Sequence, residues 1–234
     1  MLDSVTDLRS ILKDPSLLPN KAYVAGEWVD AADGKTFANG ATSGADLPGW
    51  GSYWLNHEAG HMMGLPDLYA YQYDPNNYSD QHRFVGDFNL MGFIDGSAPG
   101  FFAFERWQLG WLDDEQIICQ TSPNQTTTLT SVETPGGIKA VIVPISQSKA
   151  LVIESRRPIG ADAELVKSGA LVYLADTSIY SGEGTIKVLP VSESDPYRLQ
   201  SPLGLGETIT VEGITVTVTA STDLGDTVQV VVTK

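Results

Sequence analysis

The period of the apolar positions changes once along the chain, and the change divides it. Over residues 2–13 apolar side chains fall at Leu2, Val5, Leu8, Ile11 and Leu12, a spacing that predicts a helix, and the prolines of "DPSLLPN" stop it. "KAYVAGEWVD" (21–30) predicts a short strand, and "AADGKTF" carries an Asp-Gly turn signal before another extended piece. A glycine-rich stretch leads into a helix expected from about Trp50 to Gly64. Gly64 suits the left-handed residue that ends a helix, and Pro66 follows it. Residues 70–100 have few periodic apolar positions and many Asp, Asn, Gly, Pro and Tyr, which predicts a long ordered loop of the kind that serves a site. "GFFAFERWQLGWL" (100–112) reads as a helix whose Phe101, Phe104, Trp107, Leu109 and Trp111 supply core bulk.

Beyond Cys119 the apolar runs are short and β-branched: "TTTLTSV", "IKAVIVPI", "ALVIESR", "GALVYLAD", "TIKVLPV", "ITVTVTA" and "TVQVVVT", separated by Gly, Pro, Ser and Asp. That texture predicts an antiparallel sandwich or barrel. The chain therefore reads as α+β, with a helix-and-loop part over 1–118 and an all-β part over 119–234. No low-complexity linker separates them, so the two parts are expected to pack together, with "FFAFERWQLGW" as the seam. The β-rich part holds no His, no Cys after residue 119 and no paired carboxylates at catalytic spacing, so it is expected to support the first part or to recognise a partner rather than to supply a catalytic group.

Composition narrows the function classes. The 234 residues are 42% hydrophobic, and no apolar run approaches the length of about eighteen residues that a membrane span needs. With 29 acidic against 14 basic side chains the net charge is −15, which argues against a nucleic-acid partner. The acidity fits solubility, an extracellular or salty setting, or calcium sites. A single cysteine, Cys119, excludes an intrachain disulfide. "MLDSVTDLRSILKDPSLLPN" lacks the basic start, apolar core and small-residue cleavage site of a signal peptide, so an exported form is expected to carry its signal on further sequence.

The candidate chemistry lies in "HEAGHMMGLPDLY" (57–69). Residues four apart on a helix share a face, so His57 and His61 can offer two imidazoles to one zinc ion, with Glu58 placed to take a proton from a water. Hydrolytic zinc sites keep three protein ligands. Asp67 is the candidate third: Gly64 breaks the helix and lets the chain turn back toward the metal. The competing reading is that Asp67 caps a turn after Pro66. His82, the one other histidine, could replace Asp67 as third ligand or meet substrate, and the competing reading is an exposed or structural histidine. The Asp and Asn side chains of "DPNNYSD" (74–80) could gather around a structural calcium or form a solvated turn. Asp87 and Glu105 are candidates to orient the ligand imidazoles, or equally to form a structural ion pair or cap.

"HEAGHMMGLPDLY", together with "GDFNLMGFIDGSAPGFFAFERWQLGWL" and more weakly "ALVIESRR" and "SGALVYLAD", resembles the immune inhibitor A-type metallopeptidases of the metzincin-like group, over most of the chain from about Lys35. The resemblance implies a zincin-like catalytic part with His57, His61 and Asp67 as zinc ligands and Glu58 as general base. It further implies Met91 as the apolar floor beneath the metal, protein or peptide substrates, and secretion. The sequence departs from that family in two respects. Only 56 residues precede His57, so the catalytic part is expected to be short or truncated on its N-terminal side. The residue that would steady the oxyanion is also unranked among Tyr69, Tyr71, Tyr73 and Tyr78. The leading expectation is a zinc-dependent endopeptidase. The alternative is a non-catalytic binding module with a structural zinc and a sandwich that recognises protein or glycan, and hydrolysis of a non-peptide amide is a third. Oligomeric state is not legible.

Overall fold

The structure, a computed structural model, describes residues 22–24, 27–29, 47–192 and 194–233. The helix expected over 2–13 and the Asp-Gly turn with its extended piece lie outside these residues. Within the unit formed by residues 1–42, the expected single strand is an antiparallel hairpin of β1 (Ala22–Val24) and β2 (Glu27–Val29), with Tyr23 opposite Trp28.

Residues 43–234 form a second compact unit. It begins with helix α1 (Leu47–Met62) and continues through a loop broken by the one-turn α2 (Tyr78–Gln81) to α3 (Ala103–Gln108). Two sheets follow. One has five strands in the order β3-β5-β6-β7-β8, with β3 Ile117–Cys119, β5 Ala140–Pro144, β6 Lys149–Arg156, β7 Gly169–Asp176 and β8 Ile186–Leu189. The other has four in the order β4-β11-β10-β9, with β4 Asn124–Thr130, β9 Thr208–Val211, β10 Ile214–Thr222 and β11 Gly225–Val232. Pairing is antiparallel throughout, as expected, except between β3 and β5. No helix among the described residues is long and apolar enough to cross a membrane.

The five-stranded sheet is apolar on both faces, and this explains the unbroken runs "AVIV", "ALVI" and "ALVYLA". Successive residues alternate sides. Val141, Val143, Leu151, Ile153, Ala170 and Val172 face a core shared with Leu129, Val216, Val218, Val228 and Val230 of the four-stranded sheet, a sandwich arrangement. Ala140, Ile142, Val152, Leu171, Tyr173, Ile186 and Val188 point the other way, against Leu65, Leu68, Val85, Phe88, Met91, Phe102 and Ala103. The expected seam is present in part: Phe102 packs on Tyr173 with ring centroids 4.6 Å apart, while Trp111 is 54% exposed and stacks on Phe101. The expected helix over 100–112 shortens to α3, and Gly110 at φ 70° marks the turn beyond it.

Polar contacts reinforce this second interface. Glu154 of β6 accepts the backbone N–H of Ala103 at 2.7 Å and the Tyr173 hydroxyl at 2.8 Å. The fully buried Arg156 pairs with Glu154 and Asp162 and donates to the Gly100 carbonyl at 3.0 Å. Residues 119–234 expressed alone would expose one whole face of the central sheet together with these charges. Such a fragment is expected to aggregate or to bind an apolar dye strongly. A monomeric fragment that binds no dye would show that the face is dispensable.

Candidate metal centre

The site is built by the way α1 ends. Gly64 takes φ 94°, its N–H bonds to the His61 carbonyl at 3.0 Å, and the Leu65 N–H reaches back to the Gly60 carbonyl at 3.0 Å. This is the Schellman pattern, and the expected left-handed stop at Gly64 is observed. It reverses the chain so that Asp67, 6% exposed, returns to the histidine face of α1. Asp67 Oδ1 lies 3.1 Å from Nε2 of His57 and 3.1 Å from Nε2 of His61.

The other ring nitrogens are committed. His57 Nδ1 donates to the Leu90 carbonyl at 2.8 Å, and His61 Nδ1 donates to the Leu65 carbonyl at 2.9 Å. A carbonyl oxygen can only accept, so both rings carry hydrogen at Nδ1 and present a lone pair at Nε2 when neutral. Two lone pairs then converge on a carboxylate oxygen, an arrangement that repels unless positive charge stands among them. Protons can supply that charge, and so can a metal ion. Among the described residues this is the one group of three such side chains placed to share an ion, with candidate ligand atoms within 4.8 Å of one another. Tetrahedral zinc with bonds near 2.0–2.1 Å sets ligand atoms about 3.3 Å apart, so the donor set fits after small shifts.

Electrostatics follow the same geometry. Hydrogen bonding to Asp67 raises His61 to about 9, against the opposing effect of burial and with help from the Leu65 carbonyl and the charges of Asp67 and Glu58. Burial would raise Asp67, but the hydrogen bonds from His57, His61 and Tyr71 outweigh it and hold the carboxyl well below its usual range. Glu58 is half-buried on the same helix, and its charge adds to the rise at both His61 and Tyr69.

The four candidate tyrosines now separate. Tyr69 stacks on His57 with centroids 6.2 Å apart, and burial, then the charge of Asp67, keeps its phenol neutral far above ordinary pH. Tyr71 donates to Asp67 Oδ2 at 2.6 Å. Tyr78 lies elsewhere, against His82 and Phe93, and Tyr73 is exposed with no ring contact to the cluster. His82 is not with this cluster: its Nδ1 donates to the Gly92 carbonyl at 2.9 Å and its ring stacks on Phe93 at 4.1 Å. Met91 is fully buried beneath α1 at Gly60, where a Cβ would fall 2.5 Å from its sulfur. Its carbonyl accepts the Leu68 N–H at 2.9 Å, which ties the Asp67 loop to the turn below. Asp87 holds Ser97 rather than either histidine of the cluster. In the 74–80 segment, Asp74 accepts the Asn76 N–H and Asp80 accepts the Asp74 N–H, so both carboxylates cap their own turn.

The strand-rich part, expected to support the first part or to recognise a partner, reaches the site through residues the sequence reading did not single out. At the tip of the β7–β8 hairpin Ser181 Oγ accepts the Asp67 N–H at 2.9 Å and meets the Tyr71 hydroxyl at 3.0 Å. The Gly182 N–H donates to the Asp67 carbonyl at 3.1 Å, and the Gly182 carbonyl accepts from Tyr71 N at 3.1 Å. "YSGEG" signals a turn and nothing about a metal loop. No protein-family model, no curated protein and no solved structure matches the chain.

Proposed function

We propose that this chain is a zinc-dependent endopeptidase with a zincin-like catalytic part of the immune inhibitor A type. One observation carries the reading: two imidazoles, each with its Nδ1–H already committed, aim Nε2 at a single buried carboxylate oxygen, with a glutamate next to the first of them on the same helix. His57, His61 and Asp67 would hold the ion, which when bound would polarise the scissile carbonyl and make a nearby water acidic. Glu58 accepts the proton of the attacking water and returns it to the leaving amine. Tyr69, kept neutral, offers a hydroxyl to the developing oxyanion. Tyr71 and Ser181 keep Asp67 facing the histidines. A purely structural zinc site would not need Glu58. The family reading brings with it protein or peptide substrates and an extracellular setting.

Metal analysis of the purified chain, combined with cleavage of an unfolded protein substrate with and without chelator, tests the proposal. Zinc at one per chain with chelator-sensitive cleavage is expected. Bound zinc without cleavage would favour the binding-module reading. Iron would point to oxygen chemistry, since two histidines and a carboxylate also hold that metal.

Zinc uptake should also depend on pH with a defined sign. His61 is raised from 6.5 to about 9, so without metal its pairing with Asp67 stabilises the fold fully below pH 6.5 and is lost as pH rises through about 9. Asp67 is depressed from 3.8, so its contribution is present above pH 3.8 and is lost as pH falls below that. At pH 7 zinc must therefore displace the His61 proton, and affinity should climb up to about pH 9. Titration calorimetry in buffers of different ionisation enthalpy is expected to show about one proton released per zinc at pH 7. Proton-free binding would contradict the His61–Asp67 pairing.

A further inference from the structure

The turn that carries Leu90 and Met91 is held by a buried polar pair, Asn89 and Glu105. Asn89 is fully buried at φ 72°, a conformation open to asparagine and glycine. Its side-chain oxygen accepts the Met91 N–H at 2.8 Å, and its amide nitrogen donates to Glu105 Oε2. Glu105, 1% exposed near the start of α3, also accepts the Phe102 N–H on Oε2 at 3.0 Å, and its Oε1 has no hydrogen-bond partner. Between the two ends of the Asn89 amide bridge lies Leu90, whose carbonyl receives the His57 Nδ1–H.

A carboxyl buried with an oxygen unpaired is costly, and two apolar side chains could fill the same space. A polar pair is worth keeping there for the orientation it imposes. Rotating the Asn89 amide would release the Met91 N–H, move the Leu90 carbonyl and free the His57 ring to turn or to change tautomer. We propose that Glu105 and Asn89 are positioning residues of the metal centre: Glu105 fixes the Asn89 amide, the amide fixes the turn, and the turn holds His57 with Nε2 directed at the ion. The proposal rests on the metal-site reading above. Burial, partly offset by the Asn89 and Phe102 hydrogen bonds, raises the Glu105 carboxyl to about 7. A neutral Gln should therefore replace it, since either form accepts from Asn89.

The test compares the full chain with Asn89→Gly, Glu105→Leu and Glu105→Gln. Glycine keeps the left-handed backbone and removes only the side chain. Zinc affinity is measured by competition with a chromophoric chelator, and the His57 imidazole is followed by nitrogen NMR without metal. Asn89→Gly and Glu105→Leu are expected to weaken zinc by about 10–100-fold and to lose the hydrogen-bonded Nδ1–H signal of His57, while Glu105→Gln stays within a few-fold of the parent. Parent-like zinc affinity in Asn89→Gly would overturn the proposal. Should that variant fail to fold, equal affinity of Glu105→Leu and Glu105→Gln would overturn it instead. A parent that takes up no zinc would sink the metal-site reading itself, whereas zinc-binding variants indistinguishable from a zinc-binding parent would sink only the positioning role.

Discussion

Glu58→Gln is expected to retain one zinc per chain and to lose at least about 10²-fold in kcat/KM on a peptide substrate. The substitution leaves His57, His61 and Asp67, the Leu90 and Leu65 carbonyls behind the rings, and the Schellman turn untouched. It changes one group, from a carboxylate that can accept a proton to an amide of the same shape that cannot. The missing charge also relieves some of the pull that raises His61, which favours the neutral imidazole a metal needs. Zinc content and steady-state rates on the same preparation decide the matter. A variant that turns over like the parent would place the base elsewhere, and one without zinc would make Glu58 a structural partner of the ligands.

The second large effect separates two candidate ligands. Asp67→Ala removes the oxygen toward which both Nε2 atoms point, together with the acceptor of the Tyr71 hydroxyl. Zinc affinity should fall by more than the roughly 10–100-fold typical of losing an outer partner. His82→Ala should leave zinc affinity unchanged. It instead empties a ring-sized space beside Phe93 and Tyr197, so its cost should appear in thermal unfolding. Metal titrations of both variants read the difference. Weak zinc binding in His82→Ala with normal binding in Asp67→Ala would reverse the assignment.

What could be read in advance follows physical range. His57 and His61 share a helix face by backbone geometry alone, and Gly64 announced both the helix end and the return of Asp67, because every residue involved lies within eleven positions. The alternation along β5, β6 and β7 could not be assigned to faces, because Val141 and Ile142 are both apolar and each serves a different core. The helix expected over 100–112 came from aromatic bulk that in fact wraps a short turn: Phe101 and Trp111 stack on each other outside α3. The tyrosines near the site differ only in where the loop sends them, and no local preference separates Tyr69 from Tyr73. Asn89 in "DFNLMG" looks like any turn asparagine until Glu105, sixteen residues on, is placed beside it.

The Ser181 contact has a consequence for how the protein comes into being. It joins positions 114 apart, and the segment between them holds four strands of the central sheet. Contacts of that separation form only after the intervening chain has been ordered. During synthesis at about 5–20 residues per second, roughly ten seconds pass between the emergence of the histidine helix and that of the serine that steadies its carboxylate partner. Throughout that interval a nascent chain carries both histidines of the cluster without the serine that holds the Asp67 backbone. The cluster's surroundings are then complete only with the closing of the β7–β8 hairpin, after four strands of the central sheet have been made.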